Sequence, residues 1–201
     1  MGPVKQRLRV IAGTVGSVPL EGPSRATRPT TDRTREVLFS SLESVRDGVE
    51  GRPFVDLYAG SGAVGIEALS RGASRCLFVE MNAENVRVIQ ENLEKTGLGD
   101  EAEVWRTAVE TAVERVAAWL GGKSAIVFAD PPYEDVRALK AWGKILESKA
   151  APGTVFVLEH SCRRNLRDLP DARMKEKQVG ETCLSFWERS SERFSERSSE
   201  R

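Results

Sequence analysis

The sequence contains few of the residues on which metal and disulfide chemistry depend. Among its 201 residues there are one histidine, His160, and three scattered cysteines, Cys76, Cys162 and Cys183. One histidine is too few for a histidine-rich metal site, and an odd set of cysteines without a close pair favours neither a disulfide framework nor a zinc cluster. We therefore expect no bound metal, and we expect Cys76, in an apolar stretch, to be a buried small hydrophobe.

Long apolar runs and net charge are also missing. No stretch approaches the roughly 20 apolar residues that a membrane-spanning helix needs, and residues 1–7 hold no apolar run suited to a secretory signal. Together with the cysteine usage, this predicts a cytoplasmic protein without a membrane association. Thirty basic residues balance thirty acidic ones, and a net charge of zero, taken alone, argues against a nucleic-acid partner.

The charge is unevenly distributed along the chain. Residues 1–35 carry a net charge of +5, residues 36–162 a net charge of −7, and residues 163–201 a net charge of +2. The basic charge is therefore concentrated near the N-terminus, which weakens the argument from the whole-chain charge. Residues 189–201 contain three Ser-Glu-Arg repeats and one apolar residue, Phe194, a composition typical of a disordered tail.

The apolar pattern predicts an α/β fold. Residues 8–15 have the pattern of a short strand or hairpin, and a helix capped by Thr30 or Thr31 follows a proline-rich loop. From residue 53 onward, strand patterns alternate with helix patterns, and a pair of strands ends the series. This order predicts a mostly parallel seven-stranded sheet with helices on both faces, preceded by a small N-terminal strand or hairpin and a helix.

A glycine-rich turn follows the first strand of the alternating region. It has the sequence Asp-Leu-Tyr-Ala-Gly-Ser-Gly over residues 56–62, and its glycines let the backbone approach a ligand closely. Glu80 follows Gly60 by twenty residues, the spacing at which an acidic residue binds ribose hydroxyls. The turn therefore fits either NAD or S-adenosylmethionine. Asp56 favours the second, because a carboxylate attracts a cationic ligand and repels a pyrophosphate.

The chemistry is indicated by Asp-Pro-Pro-Tyr at residues 130–133, directly after an apolar strand. The two prolines hold an extended backbone and would present the carbonyls of Asp130 and Pro131 outward, beside the Asp130 side chain. Such acceptors can bind both hydrogens of a base amino group and free its conjugated nitrogen lone pair. Tyr133 offers a flat face on which a base can stack. The segment predicts amino-group methylation without a metal, with Asp130 as the exit for the released proton.

Together these segments resemble the RsmD family, bacterial methyltransferases that act on guanine N2 in 16S ribosomal RNA. The resemblance covers residues 8–188 and rests on residues 9–13, 28–39, 56–73 and 130–133. It implies a class I (Rossmann-like) methyltransferase fold with S-adenosylmethionine as the cofactor. The catalytic domain would span residues 51–188, after an extension over residues 1–50 that docks on ribosomal RNA.

The resemblance also assigns roles to individual residues. The target amino group would be held by Asp130, Pro131, Pro132 and Tyr133. The cofactor would be bound by Asp56, Tyr58, Ala59, Gly60, Ser61, Gly62, Glu80, Met81, Thr107 and Ala108. Within that set, Glu80 would hold the ribose hydroxyls, and Met81, Thr107 and Ala108 would surround the adenine. RNA would meet a basic cluster made of Arg9, Arg25, Arg28, Thr30, Arg33 and Arg35.

The implied partner is 16S ribosomal RNA within a small-subunit particle, bound by a monomeric protein. Three alternatives remain: an amino methyltransferase of DNA adenine, DNA cytosine or a protein glutamine, an NAD-dependent oxidoreductase, and a non-enzymatic RNA-binding protein. A DNA enzyme would need a target-recognition region, for which residues 134–188 leave little room. The oxidoreductase leaves residues 130–133 unexplained, and the intact motifs disfavour a protein without activity.

Overall fold

The structure is a computed structural model that describes residues 8–23, 31–45, 48–132, 135–169 and 173–190. Within these ranges the chain forms five helices and seven strands. The helices are α1 (Asp32–Glu43), α2 (Ala63–Ser70), α3 (Ala83–Thr96), α4 (Val109–Leu120) and α5 (Val136–Glu147). The strands are β1 (Pro53–Leu57), β2 (Arg75–Glu80), β3 (Ala102–Arg106), β4 (Ile126–Ala129), β5 (Val155–Ser161), β6 (Arg173–Val179) and β7 (Thr182–Glu188).

The seven strands form one sheet in the order β3-β2-β1-β4-β5-β7-β6. Neighbours from β3 to β5 are parallel, and β7 is antiparallel to both β5 and β6. This confirms the predicted mostly parallel seven-stranded sheet. The chain moves outward from β1 through β2 and β3, and then returns to place β4 on the other side of β1. Open α/β sheets bind ligands at the carboxyl ends of the strands beside such a switch point.

Helices cover both faces of the sheet, and each face has its own core. Successive strand residues point to opposite faces, so Phe54 and Phe128 pack against α1, α2 and α3 on one face. Val55 and Val127 pack against α4 and α5 on the other. Every residue of β1 and β4 is buried, which is why these strands contain almost uninterrupted apolar sequence.

The N-terminal extension packs onto the first of these cores. Residues 8–20 form the predicted hairpin in a minimal form, with one isolated antiparallel bridge between Arg9 and Pro19. Thr31 caps α1, as one of the two predicted options, by accepting a hydrogen bond from the Thr34 amide at 3.2 Å. Val10 and Leu20 are buried in the same core as α2, so the extension and the sheet share packed apolar surface.

Two of the three cysteines are paired, which corrects the expectation from the sequence. The Sγ atoms of Cys162 and Cys183 form a disulfide across β5 and β7. The antiparallel register of these strands pairs His160 with Cys183, which brings two cysteines 21 residues apart in sequence next to each other. Cys76 is free and buried as predicted.

Some expectations fall on residues that the structure does not describe. These are Arg25, Arg28, Thr30 and Tyr133, together with most of the predicted tail, residues 191–201. Within the described ranges, no helix has both the length and the apolar composition needed to cross a membrane. The same ranges contain no grouping of three or more His, Cys, Asp or Glu side chains arranged to hold a metal ion.

Candidate active site

The glycine-rich turn leads directly from β1 into α2 at the switch point of the sheet. Gly62 caps α2 with a φ of 76°, a left-handed conformation that favours glycine. A Cβ atom at Gly65 would lie 2.3 Å from the Phe78 ring, so this third glycine allows α2 to pack closely on β2. The motif therefore combines a tight turn with close packing between the helix and the sheet, as a nucleoside-binding turn requires.

The Glu80 carboxylate joins this turn to the end of β2. Its Oε2 accepts a hydrogen bond from the Gly60 amide, and its Oε1 accepts one from the Asn82 amide, both at 2.8 Å. The structure therefore brings together the two residues whose spacing suggested a ribose site. A carboxylate has about four lone-pair positions, so two donated bonds orient it and leave acceptor capacity for two hydroxyl groups.

The adenine-contact candidates lie next to Glu80. Met81 directly follows β2 and is 68% exposed, so its apolar side chain is accessible to a ligand beside Glu80. The Thr107 amide donates to the Glu80 carbonyl at 3.1 Å, which holds the end of β3 beside the end of β2. The Thr107 hydroxyl pairs with the Thr111 hydroxyl at 3.2 Å, and Ala108 is the N-cap residue of α4.

Asp56 does not lie open to a ligand, which differs from the contact predicted for it. Its side chain is buried, with the residue only 2% exposed, and its Oδ2 accepts a hydrogen bond from the Gly65 amide at 2.9 Å. Asp56 thus supports the turn from behind by holding the first residues of α2. Burial raises the pKa of Asp56 well above its ordinary value, and repulsion from Asp130 and Glu80 raises the pKa further, against the lowering effect of the Gly65 bond.

That repulsion identifies the electrostatic character of the site. Asp56, Glu80 and Asp130 lie at the carboxyl ends of the three adjacent strands β1, β2 and β4, close enough that the latter two carboxylates raise the pKa of the first. A bound cation would relieve the repulsion among them, whereas a pyrophosphate would increase it. Acidic side chains at this edge of the sheet therefore favour the cationic S-adenosylmethionine over a pyrophosphate such as that of NAD.

Tyr58 connects the turn to the helix that follows β3. It has a φ of 60°, and its hydroxyl donates to Glu110 Oε1 at 2.8 Å. Burial raises the pKa of Tyr58 above its ordinary range, and the bond to Glu110 raises it further, so the phenol stays protonated. The role of Glu110 was not predicted, because its position in the first turn of α4 indicates only a favourable interaction with the helix dipole.

The Asp130-Pro131-Pro132 segment runs beside the glycine-rich turn. The Asp130 amide donates to the Leu57 carbonyl at 3.4 Å, so the segment leaves the sheet next to the last residue of β1. The Pro132 carbonyl accepts from the Asp135 amide at 3.2 Å and from Arg164 Nη1 at 3.4 Å. Arg164 Nη2 also donates to the Asp135 carbonyl at 3.0 Å. The protein therefore supports the turn through Arg164, a loop residue that no sequence pattern singled out.

Asn92 links the glycine-rich turn to the N-terminal extension. It is fully buried on α3, where its Nδ2 donates to the carbonyls of Ser61 and Glu21, each at 3.0 Å. Its Oδ1 accepts from the Glu21 amide at 2.8 Å. Sequence reasoning missed this residue, although a polar side chain between the buried positions Ile89 and Leu93 was a usable signal.

Arg35 is not an RNA contact, contrary to the prediction. Its side chain is completely buried and lies 2.7 Å from Asp32 Oδ1 and 3.7 Å from Glu67 Oε2. It also donates to the Arg9 carbonyl at 2.8 Å. Arg35 precedes the buried Leu38 by three positions, which places it on the inner face of α1. Of the other described members of the basic cluster, Arg33 is exposed and the Arg9 side chain is 55% exposed.

Glu67 is the second residue that fastens the extension to the catalytic body. This buried carboxylate on α2 accepts from the amides of Ile11 and Ala12 at 2.6 and 3.0 Å. It also accepts from Arg71 Nε at 2.7 Å. Together, Glu67 on α2 and Asn92 on α3 attach the N-terminal extension, at residues 11–12 and at Glu21, to the two helices that precede and follow β2 in sequence.

The sheet order, the turn at its switch point and the oriented acid after β2 define a class I, S-adenosylmethionine-dependent methyltransferase. Comparisons with known proteins agree with this class. A solved structure from Escherichia coli, YhhF, named as a methyltransferase, matches with a TM-score of 0.71 and 28% identity. The match covers 92% of this chain and 98% of that one.

The particular family follows from sequence comparison. The model of the family described as conserved hypothetical protein 95 matches residues 8–188, and the chain belongs to this family, the RsmD family of methyltransferases. It is 38% identical over 135 residues to YlbH of Bacillus subtilis, named as an rRNA methyltransferase, covering 67% of this chain and 71% of that one. It is 35% identical over 128 residues to ribosomal RNA small subunit methyltransferase D of Escherichia coli, covering 63% and 61% of the two chains.

Proposed function

We propose that the protein transfers a methyl group from S-adenosylmethionine to the exocyclic N2 of a guanine in 16S ribosomal RNA. The observation that carries this proposal is the adjacency of two sites at the switch point. The Asp130 amide donates to the Leu57 carbonyl. The Asp130-Pro131-Pro132 segment, which accepts hydrogen bonds from the target amino group, therefore begins beside the glycine-rich turn that binds the cofactor. The names of the relatives from Bacillus subtilis and Escherichia coli support ribosomal RNA as the substrate.

Three elements hold the cofactor in this proposal. Glu80 accepts hydrogen bonds from the ribose hydroxyls, since the Gly60 and Asn82 amides already orient its carboxylate. The exposed Met81 and the backbone at Thr107 and Ala108 contact the adenine. The negative charge of Glu80 and Asp130 favours the cationic methionine end. When bound, S-adenosylmethionine supplies an electrophilic methyl group on its sulfonium, so the protein contributes mainly by positioning the two reactants.

Asp130 and the two prolines act on the target base. The Asp130 carboxylate and the carbonyls of Asp130 and Pro131 accept hydrogen bonds from the guanine N2 amino group, which makes its lone pair available to the methyl group. The sulfonium sulfur would keep the electron pair of the broken carbon–sulfur bond, and S-adenosylhomocysteine would leave. The extra proton on nitrogen leaves through the Asp130 carboxylate. Pro132 fixes the segment, because its carbonyl is held by Arg164 and Asp135. Tyr133 stacks on the base and keeps it in line with the methyl group.

The extension over residues 1–50 supplies docking to RNA in the same proposal. Its exposed basic residues, Arg9 and Arg33, contact phosphates together with Arg25, Arg28 and Thr30. The catalytic domain spans residues 51–188. The substrate is a small-subunit particle in the cytoplasm, approached by a monomeric enzyme.

Methyl transfer with a tritiated cofactor tests the proposal directly. Small-subunit particles lacking the modification, naked 16S ribosomal RNA, DNA and protein are offered in parallel, and labelled nucleosides are separated by chromatography. We expect label in N2-methylguanosine and tight binding of S-adenosylmethionine, but not NAD, in calorimetry. Label found in DNA or in a protein glutamine instead would overturn the substrate assignment.

Asp130→Ala tests the catalytic assignment. We expect transfer to fall by about a hundredfold to a thousandfold, the range for the loss of one strong catalytic group, while S-adenosylmethionine still binds, with an affinity lowered by the loss of one acidic charge. Asp100→Asn, at an exposed position before β3, is the matched control and should behave like the wild type. Transfer by Asp130→Ala at the wild-type rate would show that the amino group is activated elsewhere.

A further inference from the structure

The loop after β5 carries basic charge that the proposed methyl transfer does not use. Residues 163–167 have the sequence Arg-Arg-Asn-Leu-Arg. Arg163 and Arg167 are exposed, and Leu166 packs against the core that contains α4 and α5. The apolar contact fixes the loop on the body of the protein, while the two exposed guanidinium groups face solvent.

This loop lies against the Asp130-Pro131-Pro132 segment. It starts at the carboxyl end of β5, which is the parallel neighbour of β4, so it leaves the sheet at the same edge as Asp130. Arg164 then donates to the carbonyls of Pro132 and Asp135. The exposed residue Arg163 therefore immediately precedes a side chain that touches the target-binding turn.

The base of the loop is well anchored. Cys162 is disulfide-bonded to Cys183 on β7, and its amide donates to the Glu181 carbonyl at 3.0 Å. Arg163 forms an ion pair with Glu181 at 3.7 Å, and both side chains are highly exposed. Such an exposed pair contributes little free energy, so Arg163 can exchange this carboxylate for a phosphate at small cost.

Charge complementarity identifies the partner. The central segment, residues 36–162, has a net charge of −7 and repels a polyanion, so an RNA strand needs local positive charge to approach Asp130. The extension supplies this charge from the side of α2 and α3, to which Glu67 and Asn92 attach it. The loop supplies it from the side of β5. Guanidinium groups suit this task because their fork geometry matches phosphate oxygens.

We propose that the loop over residues 163–167 is a second RNA-binding surface, in which Arg163 and Arg167 bind phosphates next to the target guanine. The inference rests on the proposed function and extends it. RNA is then held on two sides of the target base, by the N-terminal extension and by this loop. Such a two-sided grip on the backbone positions a base without reading its sequence.

The double variant Arg163→Ala/Arg167→Ala tests the loop while leaving Arg164 in place. Binding to a 16S ribosomal RNA fragment is measured by fluorescence anisotropy over a series of salt concentrations, and methyl-transfer kinetics are measured beside it. We expect the slope of log affinity against log salt to become shallower by about 1.4–1.8, because the variant neutralises two fewer phosphates. KM for RNA should rise about tenfold or more, with kcat and the affinity for S-adenosylmethionine unchanged.

Lys123→Ala/Lys149→Ala is the matched control, because it removes two exposed positive charges at the opposite edge of the sheet. It should keep the wild-type salt slope and KM. An unchanged slope in the loop variant, an equal loss in the control, or a lower kcat at unchanged KM would each overturn the loop proposal. Failure of the proposed function has a separate signature, which is wild-type enzyme that puts no label into guanine of ribosomal RNA.

Discussion

Asp56 is a buried carboxyl group whose charge state depends on its neighbours. The folded protein holds its proton more tightly than the unfolded chain does, because burial and two nearby carboxylates raise its pKa. Its contribution to stability is therefore greatest below the ordinary carboxyl pKa and is lost as the pH rises through the raised pKa. A bound cation would relieve the repulsion among Asp56, Glu80 and Asp130. These three side chains therefore affect both the stability of the fold and the affinity for the cofactor.

Asp56→Asn should remove this pH dependence. Asparagine keeps an oxygen acceptor for the Gly65 amide but does not titrate. As the pH rises above the ordinary carboxyl pKa, we expect the wild type to lose more free energy of unfolding than the variant, as measured by urea denaturation at a series of pH values. Asp100→Asn, at an exposed site, should follow the wild-type curve. Parallel curves for wild type and Asp56→Asn would mean that Asp56 does not titrate differently in the folded protein.

Arg164 is a positioning residue, since it contacts the Pro132 carbonyl and not the reacting atoms. Arg164→Ala should lower kcat by about tenfold, a typical result of a small misplacement in the active site, with little change in the affinity for S-adenosylmethionine. Arg164→Lys should recover part of the lost kcat, because a single ammonium group can bind only some of the backbone carbonyls that the guanidinium group binds.

Arg137→Ala provides the matched control for Arg164. Arg137 is an exposed arginine that pairs with Asp135 at 3.0 Å in the same region, and its removal changes the local charge without touching Pro132. Steady-state kinetics at saturating cofactor separate kcat from KM. Equal effects of Arg137→Ala and Arg164→Ala would show that the loss of kcat results from the change in local charge and that Arg164 is not a positioning residue.

At the scale of helices and strands, local patterns predicted most of the architecture. Alternating strands and helices were enough to predict a mostly parallel sheet, and the glycine spacing before Glu80 predicted that Glu80 lies beside the glycine-rich turn. Arg35 was misassigned because its charge was considered without its helix position, three residues before the buried Leu38. The Cys162–Cys183 pair was missed because it depends on the register of β5 and β7, which no local pattern contains.

The least predictable features are contacts between elements distant in sequence. Asn92 and Glu21 are separated by 71 residues, and Arg164 and Pro132 by 32. In each case a polar side chain satisfies backbone groups of another element. A buried backbone group must find a partner, but the sequence does not say which side chain provides it. These contacts join the extension and the β5 loop to the two halves of the active site.

Asn92→Leu should weaken the contact between the glycine-rich turn and the N-terminal extension. Leucine has a similar size but leaves the Ser61 carbonyl and both backbone groups of Glu21 without their side-chain partner. We expect the free energy of unfolding to fall by about 1–3 kcal/mol, the cost of one buried polar group left unpaired, because the Ser61 carbonyl is buried whereas Glu21 is exposed and its backbone groups can bond to water. Affinity for S-adenosylmethionine should fall as well, because the Ser61 carbonyl belongs to the cofactor turn.

Gln90→Ala is the control for this substitution, on an exposed position of the same helix. Urea denaturation gives the stability difference, and calorimetry gives the cofactor affinity. If Asn92→Leu lost stability but bound the cofactor normally, Asn92 would hold only the extension and not the geometry of the turn.

Basic and acidic residues lie in different parts of the molecule, so the net charge of zero does not describe the local charge that a ligand meets. Three acidic residues, Asp56, Glu80 and Asp130, lie together at the switch point of the sheet. Exposed basic residues lie on the extension, at Arg9 and Arg33, and on the loop after β5. Acidic charge favours a cationic cofactor, and basic charge around it favours RNA, so one face can bind both ligands without either competing for the other's contacts.

This arrangement predicts a steep salt dependence for RNA binding by a neutral protein. Four exposed arginines, two on the extension and two on the loop, would release about 0.7–0.9 counterions for each phosphate bound. The slope of log affinity against log salt should therefore be about −3 or steeper, once residues 24–30 add their own contacts. Fluorescence anisotropy with a 16S ribosomal RNA fragment measures it.

Cofactor binding over the same salt series supplies the comparison, since one small cation in a partly buried acidic site is screened far less. Its slope should be much shallower than the slope for RNA. A slope near zero for RNA would mean that the exposed arginines do not bind phosphates, and that the uneven charge of the chain serves the cofactor alone.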